Sequence, residues 1–277
     1  MTGQNSLELI NQLSKENLDQ YCNKEDLELL ILYILDIDRN FLYRENPALN
    51  QNQTILLKKC IARRNLGEPL AYILGNKGFW NLDLLINQNV LVPRPETELL
   101  VEKLLSFYDS RPLKLLDLGT GSGAIGISLF SERPSWDVYC CDLSYEALQV
   151  ALENKKNNQA KVYLINADWF NAFCKNSFDV IVSNPPYVDQ NDERLLKDGV
   201  SFEPLEALVS QEGGLKDIKH IILNAKNYLR DNGSLLLEHA PEQSQDVIDL
   251  FEHNAYKDIR QFKDLNGDDR VSFGKIL

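Results

Sequence analysis

An α/β fold is expected, with a mostly parallel seven-stranded sheet preceded by a small helical bundle and a β-hairpin. Three features of the chain predict it. Residues 1 to about 72 keep helical spacing, two short extended segments follow among glycines, and from residue 113 extended and helical patterns alternate. Such alternation implies parallel strands joined by helices that cover both faces of the sheet.

In the first region Leu7, Ile10 and Leu13 recur at helical spacing, as do Leu27, Leu30, Ile31, Ile34 and Leu35. Asn46-Pro47 breaks the pattern and Ile55 to Leu66 resumes it. Gly67, Pro69, Gly75 and Gly78 punctuate the next stretch. Around Phe79-Leu84 and Asn89-Val92 the pattern predicts the two strands of a hairpin. Pro93-Arg94-Pro95-Glu96-Thr97-Glu98 closes it, with Glu96 or Thr97 near the start of a helix whose apolar face carries Leu99, Leu100, Leu104 and Leu105. The expected organisation is a helical domain over 1–72, a hairpin linker over 73–92 and an α/β domain over 93–277. Within the last, strands are predicted at Leu113-Leu118, Asp137-Cys141, Lys161-Ile165, Phe178-Val182 and Ser234-Glu238, with a final pair near Ile259-Phe262 and Arg270-Ile276. Helices are predicted at Gly123-Ser131, Tyr145-Asn157, Leu215-Leu229 and Gln243-Asn254.

The 277 residues suit about two domains, and 44% hydrophobic with 25% charged is ordinary for a globular chain. With 41 acids against 29 bases the formal charge is −12, which disfavours extended contact with a phosphate backbone. The five cysteines form no CxxC pair and are expected reduced, as in a cytoplasmic protein, with no metal site. No basic segment followed by an apolar stretch opens the chain, so no signal peptide is expected. The run Leu29 to Leu35 is too short to cross a bilayer.

Ligands of parallel α/β sheets bind beyond the carboxyl ends of the strands. Asp117-Leu118-Gly119-Thr120-Gly121-Ser122-Gly123 follows the first such strand and opens a helix. Glycines there permit a sharp turn and close ligand approach, and the helix start favours an anion. Asp142 ends the second strand, where its carboxylate can accept hydrogen bonds from vicinal ribose hydroxyls. Gly121 to Gly126 also fits GxGxxG, so a nicotinamide enzyme competes on this segment alone. At the third strand end, Asp168 and Trp169 suit a nucleobase with an exocyclic amine, although Trp169 serves equally well as core.

The fourth strand ends in Asn184-Pro185-Pro186-Tyr187. Proline fixes φ and lacks a donor, and Pro186 pushes Pro185 toward an extended conformation. The turn is stiff and rich in acceptors. The Asn184 side-chain oxygen and the Pro185 carbonyl can each accept one hydrogen of a planar –NH2 group, with Tyr187 packed on the attached π-system. An amide nitrogen is a poor nucleophile because its lone pair is delocalised. Two fixed acceptors aim that lone pair and stabilise the positive charge that grows on nitrogen. No general base is required if the proton leaves after methyl transfer. The plain alternative is a proline turn that merely closes a strand.

Taken together, these segments resemble the peptide chain release factor N(5)-glutamine methyltransferase family. The resemblance spans nearly the whole chain. It includes Gly67 to Gly75, Val92 to Glu98, Leu116 to Gly126, Asp168-Trp169-Phe170, Ser183 to Val188, Phe202-Glu203-Pro204 with Ala207-Leu208, and Gly213-Gly214-Leu215. It implies a Rossmann-like methyltransferase fold, S-adenosylmethionine as methyl donor and a cytoplasmic, monomeric enzyme. Carried over by motif, Gly119, Thr120, Gly121, Ser122 and Gly123 hold the donor's methionyl end, Asp142 its ribose and Trp169 its adenine neighbourhood. Asn184 borders donor and substrate. Asn184, Pro185, Pro186 and Tyr187 hold the glutamine of a Gly-Gly-Gln loop in class 1 release factors, with Asn184, Pro185 and Tyr187 catalytic, while the helical domain helps dock that partner. One departure lies at Glu238 to Gln245, where the family tends to have a glycine between the strand-end Glu and the Gln, and another just after the Gln.

The basic cluster Lys58, Lys59, Arg63 and Arg64 reads first as a solvated helix face and second as a contact to the release factor. Three rivals stand beside the main reading. A nucleic-acid amino-methyltransferase shares Asn-Pro-Pro-Tyr but wants a basic surface. An NAD-dependent oxidoreductase rests on GxGxxG alone. A non-catalytic module sits poorly with the intact turn.

Overall fold

The computed structural model describes residues 5–15, 21–196 and 199–277; positions 1–4 and 16–20 of the first helical region, and 197–198, lie outside the described residues. The chain forms two compact units, Met1–Gly75 with Leu196–Phe202, and Asn76–Leu195 with Glu203–Leu277.

The first unit holds α1 (Ser6–Lys15), α2 (Lys24–Leu35), α3 (Arg39–Glu45), α4 (Gln51–Asn65) and the short α5 (Leu70–Leu74). Polar residues start three of them. Asn23 and Asn50 form reciprocal capping boxes with Asp26 and Gln53, and the Asp38 carboxylate accepts from Phe41 N. Asp36 and Asn46 end α2 and α3 in the left-handed conformation that short polar side chains tolerate. The apolar stripes read from the sequence meet in one core, in which Leu27, Leu30, Ile31 and Leu42 are fully buried beside Ile10, Leu49 and Leu57. The basic cluster divides. Arg63 pairs with Glu68 at 2.5 Å and Arg64 with Asp26 at 2.9 Å, while Lys58 and Lys59 are exposed.

The second unit opens with the hairpin β1 (Asn76–Phe79) and β2 (Leu82–Leu85). This corrects the sequence expectation. Phe79-Leu84 is not one strand, because Trp80 adopts φ +55 and turns the chain within it. Trp80 is held there by N–H donation to Glu98 and indole donation to Glu132, both at 2.8 Å. Asn89-Val92 forms no strand and runs as turn and loop instead.

α6 (Glu98–Phe107) then leads to β3 (Lys114–Leu118), α7 (Ala124–Glu132), β4 (Asp137–Asp142), α8 (Tyr145–Asn157), β5 (Tyr163–Asn166) and β6 (Phe178–Ser183). The two-residue strands β7 (Val188–Asp189) and β8 (Val209–Ser210) pair with each other. α9 (Lys216–Ala225), β9 (Leu229–Glu238), α10 (Ser244–His253), β10 (Lys257–Lys263) and β11 (Asp269–Lys275) complete the chain. α9 is shorter than expected, because Leu229 already pairs with Phe178 across the sheet.

The seven-stranded sheet runs β10-β11-β9-β6-β3-β4-β5. β9, β6, β3, β4 and β5 are parallel, and β11 is antiparallel to both its neighbours. Consecutive residues Leu115-Leu116, Val180-Ile181-Val182 and Leu235-Leu236-Leu237 are all fully buried. Unbroken apolar runs of this kind are what a sheet covered on both faces demands. The strand order reverses between β3 and β6, so their carboxyl ends border the crevice where open α/β sheets place ligands. No helix among the described residues is long and apolar enough to cross a membrane.

Candidate active site

Three acidic residues at or next to the carboxyl ends of β3, β4 and β9, namely Asp117, Asp142 and Glu238, organise the crevice. Asp117 on β3 is fully buried. Its Oδ2 accepts from Thr120 Oγ1 at 2.6 Å and from Gly126 N at 3.1 Å, while Oδ1 is buried without a partner. Burial pushes this carboxyl up to about 7. Through it the loop after β3 is tied to the first turn of α7. Gly119, Gly121 and Gly123 adopt φ of +70, +54 and +84, a region L side chains seldom enter. Gly126 has a different reason to be glycine: a Cβ there would lie 2.3 Å from Cys140 Sγ, so it lets α7 approach β4.

Asp142 ends β4 and faces the same loop. Its Oδ2 accepts from Gly121 N at 2.8 Å and its Oδ1 from Ser144 N at 2.9 Å. Burial raises its carboxyl, opposed by these backbone donors. Each oxygen keeps a lone pair for a further donor.

A cavity of about 220 Å³ lies over these strand ends. It brings together six of the site residues expected from the sequence: Gly119, Gly121, Asp142, Trp169, Asn184 and Pro186. Around Gly121 there is open space, with nothing within 4 Å of a Cβ built there. Trp169, at φ +44, turns its ring toward Gly119, lines the cavity and also packs against the sheet core. Thr120, Ser122, Gly123, Pro185 and Tyr187 do not line the cavity. Thr120 is buried against Asp117, and the Ser122 carbonyl accepts from Asn154 Nδ2 at 2.9 Å.

The Asn184–Tyr187 turn is braced from distant parts of the chain. Asn184 Nδ2 donates to Thr97 Oγ1 at 3.0 Å, across 87 residues. Tyr187 OH donates to Glu238 Oε1 at 3.0 Å, so its ring is anchored at the end of β9. The Tyr187 carbonyl accepts from Gln243 Nε2 at 2.9 Å, and the same amide nitrogen reaches Gly213 O at 3.2 Å. Glu238 is fully buried, and burial pushes its carboxyl up to about 7 against the opposing effect of hydrogen bonds from Thr97 and Tyr187. Glu203, also buried, accepts from Val92 N at 3.0 Å and pairs with Arg94 at 2.5 Å, which fixes the Pro-Arg-Pro segment.

Thr97, Glu238, Gln243 and Glu203 received no site role from the sequence. One signal was present: Glu238 follows the apolar run Leu235-Leu236-Leu237, just as Asp117 and Asp142 follow theirs. The loop after Glu238 is compatible with Ala240, whose φ of −70 needs no glycine. Among the described residues no group of three or more His, Cys, Asp or Glu is placed to hold a metal.

Comparison with known proteins bears on both units. Residues 9–75 match the PrmC N-terminal domain family and residues 95–201 the methyltransferase small domain family. The release factor glutamine methyltransferase of Shewanella oneidensis is 38% identical over 254 residues, covering 91% of this chain and 89% of that protein. The protein of the same description from Escherichia coli is 37% identical, covering 91% and 92%. Among solved structures, a Pyrococcus furiosus methyltransferase superposes with a TM-score of 0.54 at 17% identity, over 82% of this chain and 98% of that one. A Thermus thermophilus 16S rRNA N2 methyltransferase, in complex with AdoMet and guanosine, gives 0.54 at 19% identity, over 73% of this chain and 50% of that one. At these identities the likeness is one of fold. On the evidence of the curated relatives, which match it over nine-tenths of its length, this chain belongs to the release factor glutamine methyltransferase family.

Proposed function

We propose that this protein methylates the side-chain amide nitrogen of the glutamine in the Gly-Gly-Gln motif of class 1 peptide chain release factors, with S-adenosylmethionine as donor. The observation that carries the reading is that Asn184 and Pro186 share one cavity with Gly119, Gly121, Asp142 and Trp169. An amide-holding turn and a nucleoside-sized site therefore open on the same space.

The residues present fit the donor. The open space around Gly121 accommodates its methionyl end, the free lone pairs of Asp142 suit ribose hydroxyls, and Trp169 flanks the place for adenine. When bound, the donor supplies an electrophilic methyl group. Asn184 Oδ1 and the Pro185 carbonyl accept the two amide hydrogens of glutamine, which aims the nitrogen lone pair and stabilises the charge that develops on it. Pro186 stiffens the segment, and Tyr187 keeps its carbonyl end in register through Glu238. The donor's sulfonium sulfur would be the leaving group for the methyl that the held nitrogen accepts, and the nitrogen would then release its proton to water. No side-chain base is required. The formal charge of −12 supports a protein substrate over nucleic acid, and the reading includes a monomer acting in the cytoplasm.

The test is mass spectrometry of the Gly-Gly-Gln peptide after incubating an intact class 1 release factor with this protein and donor. One added methyl on the glutamine is expected. An unmodified peptide, or label transferred to RNA or DNA instead, overturns the assignment.

A further inference from the structure

A planar amide can be an acceptor or a donor toward the same neighbour, depending on which way it is flipped. For Asn184 the difference decides whether the turn can grip an –NH2 group, because a flipped amide would set its own N–H groups against those of the substrate. Among the described residues Thr97 Oγ1 is what fixes the flip. It accepts from Asn184 Nδ2 at 3.0 Å, which commits the amide nitrogen and leaves Oδ1 for the cavity that Asn184 lines. Thr97 is 4% exposed and does not itself line the cavity.

A threonine hydroxyl has one hydrogen to give, and it can point at Asn184 or away. The bond from Asn184 Nδ2 requires it to point away and to present a lone pair to the amide. The other end of the turn is held separately, by the Tyr187 hydroxyl on Glu238 Oε1 at 3.0 Å.

We propose that Thr97 is a positioning residue that locks the Asn184 side-chain amide with its oxygen toward the substrate nitrogen. Its role is to exclude the flipped rotamer; it touches neither donor nor glutamine. The proposal rests on the amide-methylation reading given above.

Two readouts separate it from that reading and from mere loss of fold. The first needs no substrate: selective labelling of asparagine, with the Asn184 side-chain resonance assigned by its absence in Asn184→Asp, and amide-hydrogen exchange measured in wild type, Thr97→Val and Thr97→Ser. Thr97→Val keeps the shape and deletes the acceptor. It should speed exchange of the Asn184 NH2 by roughly tenfold, the size of one lost neutral hydrogen bond, and Thr97→Ser should restore it. Unchanged exchange in Thr97→Val overturns the proposal whatever the substrate proves to be. The second readout is methyl transfer to intact release factor. Thr97→Val should lower kcat by about ten- to a hundredfold, the scale of a misaligned positioning group, with unchanged donor affinity and recovery in Thr97→Ser. An equal loss in donor affinity, or no recovery with serine, would mark Thr97 as structural only and also overturn it.

Discussion

Two fully buried carboxylates brace the segments on either side of the cavity, and the two are alike. Asp117 at the glycine loop and Glu238 at the Asn184 turn are both raised to about 7 by burial, and each keeps one oxygen without a partner. What they hold differs in reach. Asp117 takes donors 3 and 9 residues along the chain. Glu238 takes Tyr187 from 51 residues away, and beside it Thr97 takes Asn184 from 87 residues away. At the donor end the glycine loop is braced from within about two dozen residues of chain, Asp142 included; at the substrate end the Asn184 turn is braced by tertiary structure, from Thr97 and from the end of β9.

The largest expected effect tests whether the two ends are separable. Asn184→Ala removes the acceptor aimed at the transferring nitrogen, so turnover should fall by about 10²–10³-fold, the scale of losing one preorganised polar group. Donor affinity, read by calorimetry, should stay within roughly threefold, because the loss is confined to the transition state. Near-normal turnover in this variant would sink the mechanism.

A smaller effect concerns the carboxylate at the substrate end. The folded pKa of Glu238, about 7, lies above the ordinary value of roughly 4.3, so the native state binds this proton more tightly than the unfolded chain. Between those two values the native state therefore holds more protons, and stability declines as pH rises from about 4 to about 7. Glu238→Gln should flatten that decline by about 3 kcal/mol in total, seen in denaturant midpoints at a series of pH values. An identical slope in wild type and variant would show that the carboxyl titrates normally. Asp117 follows the same sign, so part of the slope should survive in the variant.

The smallest effect is at the donor end. Gly121→Ala meets no atom within 4 Å and carries only the cost of φ +54, about 1–2 kcal/mol, measured by thermal or chemical unfolding. A much larger loss would mean that the loop is more constrained than its open surroundings suggest.

This contrast also explains what could be read from the sequence. The sheet, the glycine loop and Asp142 were legible because the signals are local: apolar runs of strand length, glycines at a strand–helix junction, an acid at a strand end. The hairpin was misplaced because the turn at Trp80 is enforced by Glu98 and Glu132, which lie 18 and 52 residues away. Thr97 looked like an ordinary helix start for the same reason. Its partner is Asn184, 87 residues on, and no local pattern reports such a pairing. Gln243 likewise gave no hint in its own segment that it would brace the Tyr187 carbonyl.

Gly214 shows where the substrate end has no room to vary. It sits at φ +82 with the Tyr187 carbonyl directly above it, and a Cβ there would lie 2.1 Å from that oxygen. Every single-base change in a glycine codon that alters the residue adds a Cβ. Drift at this position is therefore blocked at the first step, whatever side chain arrives. The cavity wall at Pro204, Glu206 and Ala207 is less confined, with exposed and half-buried side chains along it.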